Sequence, residues 1–126
     1  MADEILQHSR AALPNEACGL LAADDSGIRR LYCVANADAS PVSYTIDPAG
    51  HFAALQDAEE NSWELVGAFH SHVNGPAYPS PTDVAGATEP DWTWLVVGPI
   101  AGSPEIRAYR IVAGEISEQE LEIAGG

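Results

Sequence analysis

Residues 67–83, GAFHSHVNGPAYPSPTD, hold two histidines one residue apart and, after a proline-rich loop, a serine and an aspartate. Strand side chains alternate with period two, so His70 and His72 leave the same face of one strand with only Ser71 between them, and two imidazoles can share one ion. The pair alone is also what two satisfied polar side chains on a strand look like. A third ligand of suitable chemistry is Asp83, eleven residues after His72, across a loop that Pro76, Pro79 and Pro81 stiffen enough to turn the chain back. Ser80-Pro81-Thr82-Asp83 is at the same time a helix start, with Ser80 as N-cap, Pro81 at the first position and Asp83 at the third. The two readings are compatible, because a helix beginning at Ser80 fixes the direction in which Asp83 points.

Two histidines and an aspartate leave a tetrahedral zinc with one open position for water, whereas structural zinc sites close all four, commonly with thiolates. No cysteine lies near this stretch, so a catalytic centre is favoured. Zinc lowers the pKa of its water toward ~7 and polarises a carbonyl, but cleaving an amide also takes a carboxylate that collects the water's proton and delivers it to the leaving amine. Glu16, in PNEACGLL ahead of an apolar run, is a candidate, since a carboxylate there is an odd core choice unless it faces a cavity. Spacing alone does not select it from the other acids. A zinc deaminase would need Cys-x-x-Cys and His-x-Glu, and neither is present. A two-histidine, one-carboxylate iron site suits the ligand set but leaves Ser80 and the upstream glutamate without a role.

The elements that must position these residues follow from hydropathy and turn chemistry. Residues 3–13 read as a short helix ended by Pro14-Asn15. ACGLLAA (17–23) and IRRLYCVA (28–35) read as a hairpin; if Asp25-Ser26 is its two-residue loop, Ala23 faces Ile28 and Cys18 comes opposite Cys33. Oxidation of that cysteine pair is a hypothesis set against two reduced thiols. A brief strand SYTI (43–46) precedes a helix with Asp47 as N-cap and Pro48 at its first position, running to about Asn61 with Phe52, Leu55 and Ala58 on one face. WELVGAFHSH (63–72), apolar on both faces, reads as a central strand whose end opens at the sheet's edge, where open α/β sheets usually bind ligands. A short helix, PTDVAGAT (81–88), and strands WTWLVVGPI, EIRAYRIVAG and EISEQELEI follow. The expected architecture is an α/β (α+β) sandwich, one mixed sheet with helices packed on it, as a single domain over residues 1–126.

The 126 residues, 46% hydrophobic, suit one globular core, and 19 acidic residues against five Lys+Arg leave a net charge of −14. Such a field repels phosphate backbones and anionic membrane surfaces, so neither nucleic acid nor a membrane is expected as partner. All five cations are arginine, which removes lysine chemistry altogether. The start lacks a basic and apolar leader and no apolar run reaches the ~20 residues of a membrane span, so a cytoplasmic protein is expected. His8 and His51 read as surface residues of the first two helices, and Tyr78 and Trp92 as core or rim packing, with a place in a substrate groove as the alternative.

These residues resemble the JAMM (MPN+) zinc metallopeptidases, whose pattern is an upstream glutamate, then His-x-His, seven residues, Ser, two residues, Asp. Glu16, His70-Ser71-His72, Ser80 and Asp83 fit it without a gap. The likeness continues through NEACGLL, NADASPVSYTID, AYPSPTDVAGATEPD and AYRIVAGEI, and is greatest to the bacterial branch that hydrolyses a ubiquitin-like sulfur-carrier protein bearing cysteine on its C-terminal glycine. The resemblance implies a cytidine-deaminase-like fold, one Zn²⁺ with a bound water on His70, His72 and Asp83, Glu16 as general acid/base, and Ser80 as donor to the oxyanion. It implies a small ubiquitin-like carrier ending in Gly-Gly as partner; a homodimer is compatible with it. Removal of ubiquitin-like modifiers from protein lysines and a metal-free binding module are the alternatives. Val73-Asn74-Gly75 departs from the proline that many members carry after the second histidine, which reshapes the loop nearest the scissile bond. The chain's own Gly125-Gly126 imitates such a diglycine tail.

Overall fold

The computed structural model describes residues 1–120. Elements run α1 (Ala2–Ala12), β1 (Cys18–Asp24), β2 (Gly27–Val34), α2 (Pro48–Glu60), β3 (Glu64–Ser71), α3 (Pro81–Gly86), β4 (Thr93–Gly98), β5 (Glu105–Val112) and β6 (Glu115–Gln119). The strands form one sheet in the order β2-β1-β3-β4-β5-β6, in which β3 and β4 are parallel and the other neighbours antiparallel. This is the expected mixed sheet with helices on it. The last strand stops at Gln119; residues 121–123 of the expected run, and Gly125-Gly126, lie outside the described residues. No helix among the described residues is long and apolar enough to cross a membrane.

Period-two alternation gives the sheet two apolar faces. On one, Leu21, Phe69, Leu95 and Val97 pack with Ile5 of α1. On the other, Leu20, Ala68, Trp94 and Ile111 pack with Ala54 of α2, and Val84 of α3 joins them. His70 and His72 are in phase with Ala68, so they leave the sheet on the α2/α3 face. As expected, β3 is central, with β1 on one side and β4 on the other; its C-terminal end opens where the chain departs for the crossover that carries α3.

The α2 start is as expected: Asp47 caps it by accepting a hydrogen bond from the Gly50 amide at 3.0 Å, with Pro48 in the first turn. Its buried face keeps Ala58 of the expected three residues but not the other two. Ala54 and Ala58 are buried, while Phe52 is 62% and Leu55 39% exposed, because small side chains let the helix lie close on β1, β2 and β3. SYTI is not a strand either; it keeps a single bridge, Asn36 to Ile46.

In the hairpin, Asp24 pairs with Gly27 and Ala23 with Ile28, leaving Asp25-Ser26 as the loop. Gly27 takes φ 117°, a value open to glycine. One pair further on, Ala22 faces Arg30, so Arg29 is the extra residue of a β-bulge. That shift moves Cys18 opposite Val34 and Cys33 opposite Gly19. The expected Cys18–Cys33 pairing is therefore wrong: a one-residue slip sends the two thiols to opposite faces, and both are free, Cys18 buried and Cys33 exposed. Burial pushes the Cys18 thiol up to about 12.

Gly19, flanked by Cys33 on β2 and Phe69 on β3, leaves room for the Phe69 ring to lie over the backbone. A Cβ at this position would stand 2.1 Å from Phe69 Cε1 and 2.3 Å from the Tyr32 carbonyl oxygen. Gly19→Ala should lower the urea midpoint at unchanged m-value, corresponding to a loss of about 1–3 kcal/mol or more.

Candidate active site

β3 brings His70 and His72 to its C-terminal edge, 2% and 9% exposed, and α3 brings Asp83 to meet them. His70 Nε2 and His72 Nε2 are 3.1 Å apart, and each is 2.9 Å from Asp83 Oδ2. The helix start is real as well: Ser80 Oγ accepts the Asp83 amide at 3.1 Å, and Asp83 Oδ2 accepts the Ser80 amide at 2.8 Å, a complete capping box. The cap and the convergence on the histidines are thus one piece of structure.

His72 Nδ1 is 2.8 Å from the Pro76 carbonyl oxygen, which can only accept. Its proton therefore sits on Nδ1, and the neutral ring turns a bare lone pair at Nε2 toward the carboxylate. With both rings neutral and protonated at Nδ1, three electron-rich atoms face one another, and either a cation or protons on the imidazole Nε2 atoms resolve the conflict. Two ligands of a tetrahedral zinc at ~2.0–2.1 Å stand ~3.3–3.4 Å apart, so the three atoms need to open by only a few tenths of an ångström. The donor set and its burial fit one Zn²⁺. Without an ion, protons on the imidazoles do the resolving: burial alone would raise Asp83, but hydrogen bonds donated by His70 and His72 outweigh it and hold its carboxyl well below the usual range. Burial lowers His70 despite the same carboxylate, whereas in the less buried His72 the Asp83 and Pro76 contacts overcome burial and raise it.

Glu16 lies in the segment between α1 and β1 and is 5% exposed. It shares a cleft of about 380 Å³ with His72, Ser80, Pro41, Val42 and Tyr78. Its Oε1 is buried without a partner. Burial pushes its carboxyl up to about 7, with His72 acting to lower it and Asp83 to raise it. That is the range in which a carboxyl can both take and return a proton near neutral pH.

The backbone around Glu16 is held from both sides. The Ala17 amide donates to Ser71 Oγ at 2.8 Å, the Glu16 amide donates to the Ser40 carbonyl at 2.8 Å, and Asn36 Nδ2 donates to the Glu16 carbonyl at 3.0 Å. Asn36 also donates to the Ser43 carbonyl and accepts from the Asp38 and Thr45 amides, so one amide organises the loop from 36 to 45. That loop carries Tyr44, whose ring stacks on His70 at 4.4 Å and 17°.

Sequence reasoning missed Asn36, Tyr44 and the role of Ser71. Their only signal was an asparagine opening a turn-rich loop and a serine between two histidines. Tyr78, 52% exposed, lies on the rim of the Glu16 cleft. Trp92 and His51 line a second cavity of about 240 Å³ beside Asp83, together with Tyr44, Ile46 and Trp94. His8 is half-buried, its Nε2 3.2 Å from the Cys18 carbonyl oxygen, and not simply a surface residue.

A family model described as prokaryotic homologs of the JAB domain matches residues 1–112. A CysO-cysteine peptidase of Mycobacterium tuberculosis is 36% identical over 131 residues, covering 98% of this chain and 86% of that protein. A Thermus thermophilus protein described as "Probable TtuB-protein conjugate cleaving protease" is 33% identical over 116 residues, covering 88% and 74%. The crystal structure of a JAB1/MPN domain protein from Archaeoglobus fulgidus superposes with a TM-score of 0.60 at 21% identity, covering 95% of this chain and 86% of that one, a likeness of fold. With the family matched along most of its length, and with relatives named as peptidase and protease aligned across nearly all of it, the chain belongs to the prokaryotic JAB-domain (JAMM/MPN) family and is a hydrolase.

Proposed function

We propose that this chain hydrolyses the amide bond after the C-terminal Gly-Gly of a small ubiquitin-like sulfur-carrier protein, releasing cysteine in cysteine biosynthesis in the cytoplasm, with residues 1–126 acting as one metallopeptidase domain. The observation that carries it is the meeting of His70, His72 and Asp83 beside a cleft that also holds Glu16 and Ser80. His70 Nε2, His72 Nε2 and Asp83 Oδ2 would hold Zn²⁺. When bound, the ion supplies Lewis-acid polarisation of a carbonyl and a water acidified toward ~7.

The chain's own residues do the rest. The Glu16 carboxyl takes a proton from the attacking water and returns it to the leaving amine nitrogen. Ser80 Oγ accepts from the Asp83 amide, so its own hydrogen is free to donate to the carbonyl oxygen as that oxygen gains charge. Val42, Tyr78 and Pro79 wall the cleft, where an extended tail without side chains would enter most easily. A second reading, an isopeptidase acting on ubiquitin-like modifiers attached to protein lysines, is favoured by the name of the Thermus relative and uses the same residues.

Three outcomes are expected. Hydrolysis of a carrier–cysteine conjugate should exceed that of a carrier–lysine isopeptide in kcat/KM; the reverse order would move the assignment to the second reading. Glu16→Gln should reduce kcat by ~10²–10⁴-fold while zinc remains bound in metal analysis, and full activity would sink the proposed role of Glu16. The same variant makes a stability prediction for the metal-free protein. Glu16 titrates at about 7 when folded against the ordinary carboxyl value of 4.5, so the native state binds the extra proton between those values and loses stability as pH rises through them. Glu16→Gln should lack that loss and, at pH 8 with chelator present, unfold at higher denaturant than the parent by on the order of 2–3 kcal/mol, the difference vanishing near pH 4.

A further inference from the structure

We propose that Tyr44 is a positioning residue for His70, holding through its ring face the one histidine of the triad whose second ring nitrogen no hydrogen bond orients. A metal-binding histidine ordinarily donates its second ring N–H to a carbonyl, carboxylate or water, which fixes the tautomer and the aim of the ring. His72 does so, to Pro76. His70 does not: its Nδ1 is buried without a partner. What His70 has instead is the Tyr44 ring, nearly parallel at 17° with centroids 4.4 Å apart.

The contact is built into the loop. On one side of Tyr44, the Ser43 carbonyl accepts from Asn36 Nδ2 at 3.0 Å. On the other, the Thr45 amide donates to Asn36 Oδ1 at 3.0 Å and the Thr45 carbonyl accepts from the Ala37 amide at 2.8 Å. The backbone is thus pinned immediately before and after the tyrosine, and the amide that pins it also holds the Glu16 carbonyl. Asn36 and Tyr44 together couple the position of the base to the aim of the first ligand. The face of the imidazole, not its edge, is what the protein grips, which leaves Nε2 free to point at Asp83.

The proposal rests on the reading of His70, His72 and Asp83 as a zinc site, and the test separates the two. The full chain and its variants, stripped of metal, compete with a chromophoric chelator for Zn²⁺, and the thermal midpoint of each metal-free protein is recorded alongside. Tyr44→Phe keeps a stacking face and should bind zinc within about threefold of the parent. Tyr44→Leu keeps bulk and apolarity but loses that face, and its Kd should rise ~10–100-fold with little change in the metal-free midpoint. Where the branched leucine does not fold, Tyr44→Met gives the same comparison. A leucine or methionine variant that binds zinc as tightly as the parent overturns the proposal, as does a phenylalanine variant that weakens as much as they do. A parent that takes no zinc from the chelator overturns the metal reading itself, and the role of Tyr44 with it.

Discussion

The site depends on a hydrogen bond that touches none of the groups it serves, from the Ala17 amide to Ser71 Oγ. Ser71 stands between the two histidines, so the alternation of the strand turns its hydroxyl to the opposite face of the sheet. There it is fully buried and takes the amide that follows Glu16, while its own amide donates to the Ala17 carbonyl at 3.0 Å. The β1–β3 ladder is in this way extended one residue beyond the Cys18–His70 pair, and Glu16 is placed by strand register and not by a free loop. A slip of one residue would turn both histidines into the α1 core and strand the serine in the cleft. Such a slip also leaves a buried hydroxyl and a buried amide unpaired, each costing about 1–3 kcal/mol.

Around that fixed register, each member of the triad is aimed by a different kind of force. His72 is aimed by a hydrogen bond to a loop carbonyl, Asp83 by the cap of α3, and His70 by the face of an aromatic ring. The cap is economical. A helix N-terminus must satisfy its exposed amides, and here the carboxylate oxygen that satisfies the Ser80 amide is the same oxygen that meets both imidazoles. A six-residue helix with no buried residues would be a weak element by itself. Its work is to set the direction of one side chain.

What could be read in the sequence was whatever has a local signature. The Asp47-Pro48 start, the Asp25-Ser26 turn, the apolar run into His70 and the Ser80-Pro81-Thr82-Asp83 cap depend on neighbouring residues, and each lies where expected. The failures share a cause: they depend on contacts between distant segments. The bulge at Arg29, which separated Cys18 from Cys33, leaves no mark in residues 17–35. Phe52 and Leu55 share a helix face with Ala58, but close approach of α2 to the sheet buried Ala54 beside Ala58 and left the two larger side chains out. Asn36 works on Glu16, Asp38, Ser43 and Thr45 at once, a role that no spacing rule describes. Glu16 itself was one acid among 19 until the family pattern singled it out. In the structure it identifies itself physically, as a buried carboxyl with an unpartnered oxygen beside the triad.

That same carboxyl sets a limit on how stable the protein can be. A buried acid without a partner destabilises the fold once it ionises. A glutamine of the same shape would avoid the charge. A cation held by His70, His72 and Asp83, as proposed, would sit on the same cleft and offset part of the desolvation penalty. Metal binding would then act twice, reconciling three electron-rich atoms that face one another and making the burial of Glu16 less unfavourable.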